Sequence, residues 1–217
     1  MIFRDRIDAA RRLATALAKY RGARPLVLAI PRGAVEMGRV LADELDGELD
    51  VVLVRKLGAP FNSEFAVGAV DESGWTYVAD YAPQAGADPQ YLEAEKRRQL
   101  QVLQTRRRKY TPGREPIDPA GRTVIVVDDG LATGATMIAA LHAVRAKKPA
   151  WLVCAVPVAA RDSLEKVRGY ADEVVCLHAP EDFGAVSAFY LDFPQVDEDT
   201  VAALLAQRRP EGAVVEK

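Results

Sequence analysis

The chain has 217 residues, 49% apolar and 28% charged, with a formal net charge of −2. That balance suits one globular domain with a substantial core and excludes a disordered chain. The near-neutral charge gives no bulk electrostatic reason to expect nucleic acid as a partner, and the longest apolar stretch, residues 150–160, is broken by Pro157 and too short to cross a bilayer.

Residues 5–20 read as an amphipathic helix, with Ile7, Leu13 and Leu17 on one face and Arg11, Arg12 and Lys19 off it. Residues 26–30 are a continuous apolar run, as in a strand covered on both faces, ended by Pro31-Arg32-Gly33. A helix over 35–45 and a second buried strand over 49–54 follow, the latter leading into Arg55-Lys56. Residues 57–64 are rich in turn-formers and predict a loop; 66–70 and 75–79, flanking Asp71-Glu72-Ser73-Gly74, predict a hairpin. Asp88 as cap and Pro89 in the first turn start a helix that should run to about Tyr110. After a proline-containing connection over 111–121 come a third strand (123–127), a helix (137–145), a fourth strand (151–156), a helix (160–168) and a short fifth strand (173–177). An aromatic-rich segment, 179–194, precedes a last helix near Asp197.

Alternating strands and helices predict an α/β fold: a doubly wound, mainly parallel sheet with helices on both faces. Ligands of such sheets sit beyond the carboxyl ends of the strands. Cys154 and Cys176 lie in apolar, strand-like runs, which predicts buried, reduced thiols, and the start lacks a basic-then-apolar leader; both point to the cytoplasm. The basic residues Lys96, Arg97, Arg98 and 106–109 read as a solvated helix face, since acids precede them.

The third strand drives into Asp128-Asp129, followed by Gly130-Leu131-Ala132-Thr133-Gly134-Ala135-Thr136 and a helix. Adjacent carboxylates at a strand end repel each other unless something binds across them. Ribose hydroxyls can donate to them, and a divalent cation can neutralise them. The glycines allow backbone N–H groups to approach a phosphate. The helix N-terminus adds roughly 0.3–1 kcal/mol per exposed anionic partner. Rival phosphate motifs fail: three residues, not four, separate Gly130 from Gly134, Ala135 stands at the Walker lysine, and no G-x-G-x-x-G is present. The segment is a ribose-phosphate site on these grounds.

It closely resembles the 5-phosphoribosyl-1-pyrophosphate (PRPP) motif of type I phosphoribosyltransferases. The resemblance extends over most of residues 24–178. It implies that Asp128 and Asp129 hold ribose hydroxyls and, indirectly, a metal, while the backbone of 130–136 with Thr133 and Thr136 holds the terminal phosphate. Arg32, Gly33 and Ala34 stand where the family's pyrophosphate loop lies. Arg55 and Lys56 resemble the pair preceding the mobile catalytic loop, which would span 57–64. A narrower resemblance, to phosphoribosyltransferase-like proteins without an assigned substrate, rests on Phe3-Arg4-Asp5-Arg6, Val54-Arg55-Lys56-Leu57-Gly58 and Phe189-Tyr190-Leu191-Asp192-Phe193.

The resemblance implies a single domain over 1–217, with a small hood from 179–194 and the N-terminal helix, and a frayed tail at 208–217. Phe183, Phe189, Tyr190 or Phe193 of the hood would stack on a base. The implied reaction moves the phosphoribosyl group of PRPP to a nitrogenous base or amine, with Mg²⁺ assisting pyrophosphate release. Ala132 stands where 6-oxopurine enzymes carry an aspartate, which argues against those bases; Glu64 or Glu72 could act as general base. A homodimer is compatible with the resemblance. The alternative is a regulatory module that binds PRPP or a nucleotide without turnover.

Overall fold

The computed structural model describes residues 1–207; the tail expected at 208–217 lies outside the described residues. In chain order the elements are α1 (Arg6–Ala16), β1 (Leu26–Ala29), α2 (Ala34–Glu44), β2 (Glu48–Val51), β3 (Val54–Ala59), β4 (Asn62–Asp71), β5 (Thr76–Val78), α3 (Pro89–Tyr110), β6 (Thr123–Val127), α4 (Ala135–Arg145), β7 (Trp151–Val158), α5 (Arg161–Arg168), β8 (Glu173–His178) and α6 (Glu198–Ala206).

Five strands form a parallel sheet in the order β2-β1-β6-β7-β8. Successive side chains of a strand point to opposite faces, and the apolar runs divide accordingly. Val27, Ala29, Ile125, Val127, Val153 and Ala155 pack with Ala9 and Leu13 of α1 and Met37 and Leu41 of α2. Leu26, Leu28, Val124, Val126, Leu152 and Cys154 pack with Ile138 and Leu141 of α4 and Leu164 and Val167 of α5. A doubly wound, two-faced α/β sheet is the result. Both cysteines are free; Cys154 is buried, whereas Cys176 is only half-buried and its thiol donates to the His178 carbonyl at 3.3 Å. No helix among the described residues is long and apolar enough to cross a membrane.

The second predicted strand is split. β2 ends at Val51, and the chain re-enters extended structure at Val54 in a separate antiparallel sheet, β3-β4-β5. The loop expected over 57–64 is mostly paired strand, with only Pro60 and Phe61 between β3 and β4. Gly58 and Pro60 suggested loop, but Leu57 and Ala59 alternate inward and are buried. Gly58 serves an irregularity in the pairing: a Cβ there would meet the Ser63 carbonyl oxygen at 2.5 Å.

This small sheet is wedged between two helices. On one side Trp75 stacks on His142 of α4, with ring centroids 3.5 Å apart. On the other, Tyr91 of α3 donates to the Gly58 carbonyl at 2.8 Å and Arg55 Nε donates to Gln99 Oε1 at 2.7 Å. α3 itself is capped by Asp88, whose carboxylate accepts from the Tyr91 N–H.

Asp50 of β2 anchors the connection after α3. It is 1% exposed, accepts from Arg114 Nη2 and from the Ile117 N–H, each at 2.9 Å, and lies 3.8 Å from Arg107 Nη1. Removing one member of a buried ion pair leaves the rest uncompensated. Asp50→Ala is therefore expected to cost about 3–5 kcal/mol, read as a lowered urea midpoint. A loss within experimental error would show that water replaces the carboxylate.

Candidate active site

The chain leaves β1 toward β2 on one side of the sheet, and leaves β6 toward β7 on the other. The crevice at the carboxyl ends of β1 and β6 is thus the topological switch point, where open α/β sheets bind ligands. Two loops meet there: 30–33 after β1 and 128–134 after β6.

The β6 loop is held from below. The Leu131 N–H donates to the Val158 carbonyl at 2.9 Å and its own carbonyl accepts from Ala160 at 2.9 Å, pinning Leu131 beside β7. Ser163 Oγ of α5 donates to the Ala132 carbonyl at 2.6 Å. These contacts leave Ala132 and Thr133 exposed at the crest. Gly134 has φ +80° and opens α4 in the left-handed region, a turn few side-chained residues adopt. Thr133 Oγ1 accepts from the Ala135 N–H at 3.5 Å, and Thr136 is half-buried in the first turn. The first N–H groups of a helix lack intrahelical acceptors, so a loop opening on one can cradle an anion.

Asp128 and Asp129 stand half-buried at its base. Burial and the neighbouring Asp129 push the Asp128 carboxyl well above the usual carboxylate range. Burial also raises Asp129, while the Arg6 guanidinium pulls the other way. Arg6 Nε donates to Asp129 Oδ2 at 3.0 Å. On the facing loop, Gly33 is packed against this pair: a Cβ would lie 2.5 Å from Asp129 Oδ2. A side chain there would drive the two loops apart.

Arg55 and Lys56 separate, because they are neighbours on a strand. Lys56 is exposed, and its charge pulls the carboxyls of both Asp128 and Asp129 downward, so it addresses the acid pair. Arg55 faces α3 and is occupied by Gln99, with burial and Arg106 pushing its own pKa down. The two expected cations thus differ in surroundings: Lys56 is exposed, while Arg55 is half-buried with its Nε on Gln99. Arg32 is half-buried, and its charge is felt by Tyr110 of α3.

The hood is a structural layer in which the aromatics have partners of their own. Tyr190 is 7% exposed and donates to the Asp129 carbonyl at 2.7 Å. Phe189 lies between Phe183, with centroids 5.4 Å apart, and the edge of His178 at 5.8 Å. Tyr190 is thus buried with its hydroxyl engaged, whereas Phe183 and Phe189 are both half-buried. The hood also closes on the loop after β6, since a Cβ on Gly130 would meet Val186 Cγ1 at 2.7 Å. Phe3 pairs with Tyr190 as a short parallel bridge, and its carbonyl accepts from the Leu191 N–H at 2.9 Å, which ties the N-terminus to the hood. Glu72 is engaged by Arg107 at 2.6 Å and so is not free as a base. Glu64 is exposed on β4.

Sequence reasoning missed Arg6 as a site residue, although a signal was present. Arg6, Ala9, Ala10 and Leu13 share the spacing of one helix face, and an arginine on an apolar face requires a partner. It also missed Val186, which carries no pattern of its own, and it read Phe193 as a base-stacking candidate where the ring instead lies 3.8 Å from the Arg6 guanidinium carbon.

The phosphoribosyl transferase domain model matches residues 3–194, and the chain belongs to that family. Over 205 residues it is 42% identical to proteins in two strains of Mycobacterium tuberculosis that carry a provisional phosphoribosyl transferase designation. The match takes in 94% of this chain and 46% of those proteins, so the chain spans less than half the length of these curated relatives. The crystal structure of TT1426 from Thermus thermophilus superposes with a TM-score of 0.79 at 49% identity, covering 94% of this chain and 98% of that one.

The displaced pKa of Asp128 has a measurable consequence. The folded carboxyl keeps its proton to higher pH than the unfolded one, so wild-type stability falls as pH rises through that interval. Asp128→Asn removes the charge and keeps the shape. It is expected to stabilise the ligand-free protein by about 0.5–2 kcal/mol at neutral pH, with a smaller gain near the ordinary carboxylate pKa. Urea melts at the two pH values check this; a less stable variant at neutral pH contradicts it.

Proposed function

We propose that this protein transfers the phosphoribosyl group of PRPP to a nitrogenous acceptor and releases pyrophosphate. The observation that supports this best is the convergence, at one switch point, of the Asp128–Asp129 pair, the anion cradle of 130–136, the close-packed Gly33 loop and Lys56. The two carboxylates accept from ribose hydroxyls. The cradle takes the terminal phosphate, with Thr133 and Thr136 adding hydroxyl donors. Arg32, Gly33 and Ala34 receive the pyrophosphate.

In the reaction an acceptor nitrogen lone pair forms the bond to the anomeric carbon. The bond from that carbon to the pyrophosphate oxygen breaks, and its electron pair leaves with pyrophosphate. A proton on the acceptor nitrogen passes to base or solvent. The protein supplies orientation and charge rather than a covalent nucleophile. Lys56 meets the negative charge that develops on the leaving group. No group of three or more His, Cys, Asp and Glu side chains is placed to hold a metal among the described residues. Two carboxylates nevertheless fit Mg²⁺, which binds through one or two carboxylates plus substrate oxygens. When bound it would neutralise charge on the pyrophosphate. Ala132 leaves no carboxylate to read a 6-oxopurine, so the acceptor belongs to another class of base or amine.

One observation favours the regulatory alternative. With Arg55 Nε held by Gln99, Lys56 is the member of the Arg55-Lys56 pair that remains for the leaving group. Pyrophosphate release across a panel of nitrogenous acceptors, with PRPP and Mg²⁺, decides between the readings. Release with at least one acceptor is expected; PRPP binding with no release from any acceptor would favour the regulatory module. Lys56→Ala should lower kcat about 10²–10³-fold and change PRPP affinity by less than about threefold. A loss confined to affinity would remove Lys56 from the chemical step.

A further inference from the structure

Arg6 belongs to the Phe3-Arg4-Asp5-Arg6 motif, and the reaction as described gives it no part. Its side chain is only 7% exposed, on the apolar face of α1 beside Ala9, Ala10 and Leu13. A buried guanidinium is costly unless each edge is used, and here the edges are divided among three parts of the site. Nε donates to Asp129 Oδ2 at 3.0 Å. Nη1 donates to the Pro194 carbonyl at 2.7 Å, and the Phe193 ring lies 3.8 Å from the guanidinium carbon. A Cβ on Gly33 would sit 2.7 Å from Nε and 2.9 Å from Nη2. One side chain therefore touches the acid loop, the Gly33 loop and the hood.

A purely structural rivet need not be charged: well-packed apolar side chains commonly replace buried ion pairs without loss of stability. The charged partner here is one of the two carboxylates assigned to ribose. We propose that Arg6 is a positioning residue for ribose recognition. It occupies one oxygen of Asp129, fixes the carboxylate plane and leaves the other oxygen for a ribose hydroxyl. The planar fork also holds the Pro194 carbonyl, so the orientation of Asp129 and the seat of the hood move together. This rests on the reading of the loop as a ribose-phosphate site.

The test is calorimetric titration of ribose 5-phosphate and, separately, of inorganic pyrophosphate into wild type, Arg6→Met and Arg6→Lys. Loss of one charge-assisted hydrogen bond corresponds to about 10–100-fold. Arg6→Met is expected to weaken ribose 5-phosphate by that factor and to leave pyrophosphate within about twofold. Arg6→Lys is expected to recover part of the loss, since one ammonium can reach Asp129 or the Pro194 carbonyl but lacks the fork to hold both. In an Asp129→Asn background, Arg6→Met should have little further effect, whereas a role confined to hood packing would add its full penalty. Equal weakening of both ligands, or unchanged ribose 5-phosphate binding, overturns the proposal. If Arg6→Met does not fold, Arg6→Lys carries the same comparison: a selective loss supports positioning and an unselective one overturns it. Wild type that binds neither PRPP nor ribose 5-phosphate overturns the underlying ribose-phosphate reading instead.

Discussion

Asp128 and Asp129 stand side by side at the end of β6, where like charges repel and burial limits their hydration. Around them the chain places its compensating charge. Arg6 reaches in from α1 to Asp129, and Lys56 comes in on β3. The compensation is unequal, because Arg6 bonds Asp129 directly while Asp128 is left the more strongly perturbed. A ligand that donates hydroxyls or brings a cation relieves that imbalance. The ligand-free site is thus held in an electrostatically unfavourable state by a well-packed scaffold, as expected where stability is given up for binding.

The same pair shapes the surrounding packing. Gly33 is confined by Asp129 and Arg6, and Gly130 by Val186 of the hood. Neither glycine has a positive φ; each lacks a side chain because another group already fills the space. The switch-point crevice is therefore closed from the sides by direct contact, while Ala132 and Thr133 remain open to solvent. The small antiparallel sheet completes the arrangement. It is clamped between α3 and α4 by the Gln99, Tyr91 and His142 contacts, so Lys56 sits on a supported strand.

The parallel sheet was legible because its strands are unbroken apolar runs, and the start of α3 because Asp88-Pro89 is a strong cap. The acid pair and its loop were legible because acids, glycines and hydroxyls occur together in order. What could not be read were tertiary events. The strand over 54–59 was hidden by Gly58 and Pro60, whose turn-forming chemistry serves an irregular pairing and a tight reversal. The opposite facing of Arg55 and Lys56 follows from strand alternation only once residues 54–59 are known to be a strand. The fate of Tyr190 and Phe189 depended on partners that no local pattern announces: the Asp129 carbonyl, 61 residues away, for one, and Phe183 and His178 for the other.

The central claim is that the 128–136 loop binds PRPP through its two acids. Calorimetric titration of PRPP with Mg²⁺ into wild type and into the Asp128→Asn/Asp129→Asn double variant tests it most directly. Saturable binding by wild type and its loss in a folded double variant is the predicted result. No binding by wild type, or undiminished binding by the double variant, would contradict the account.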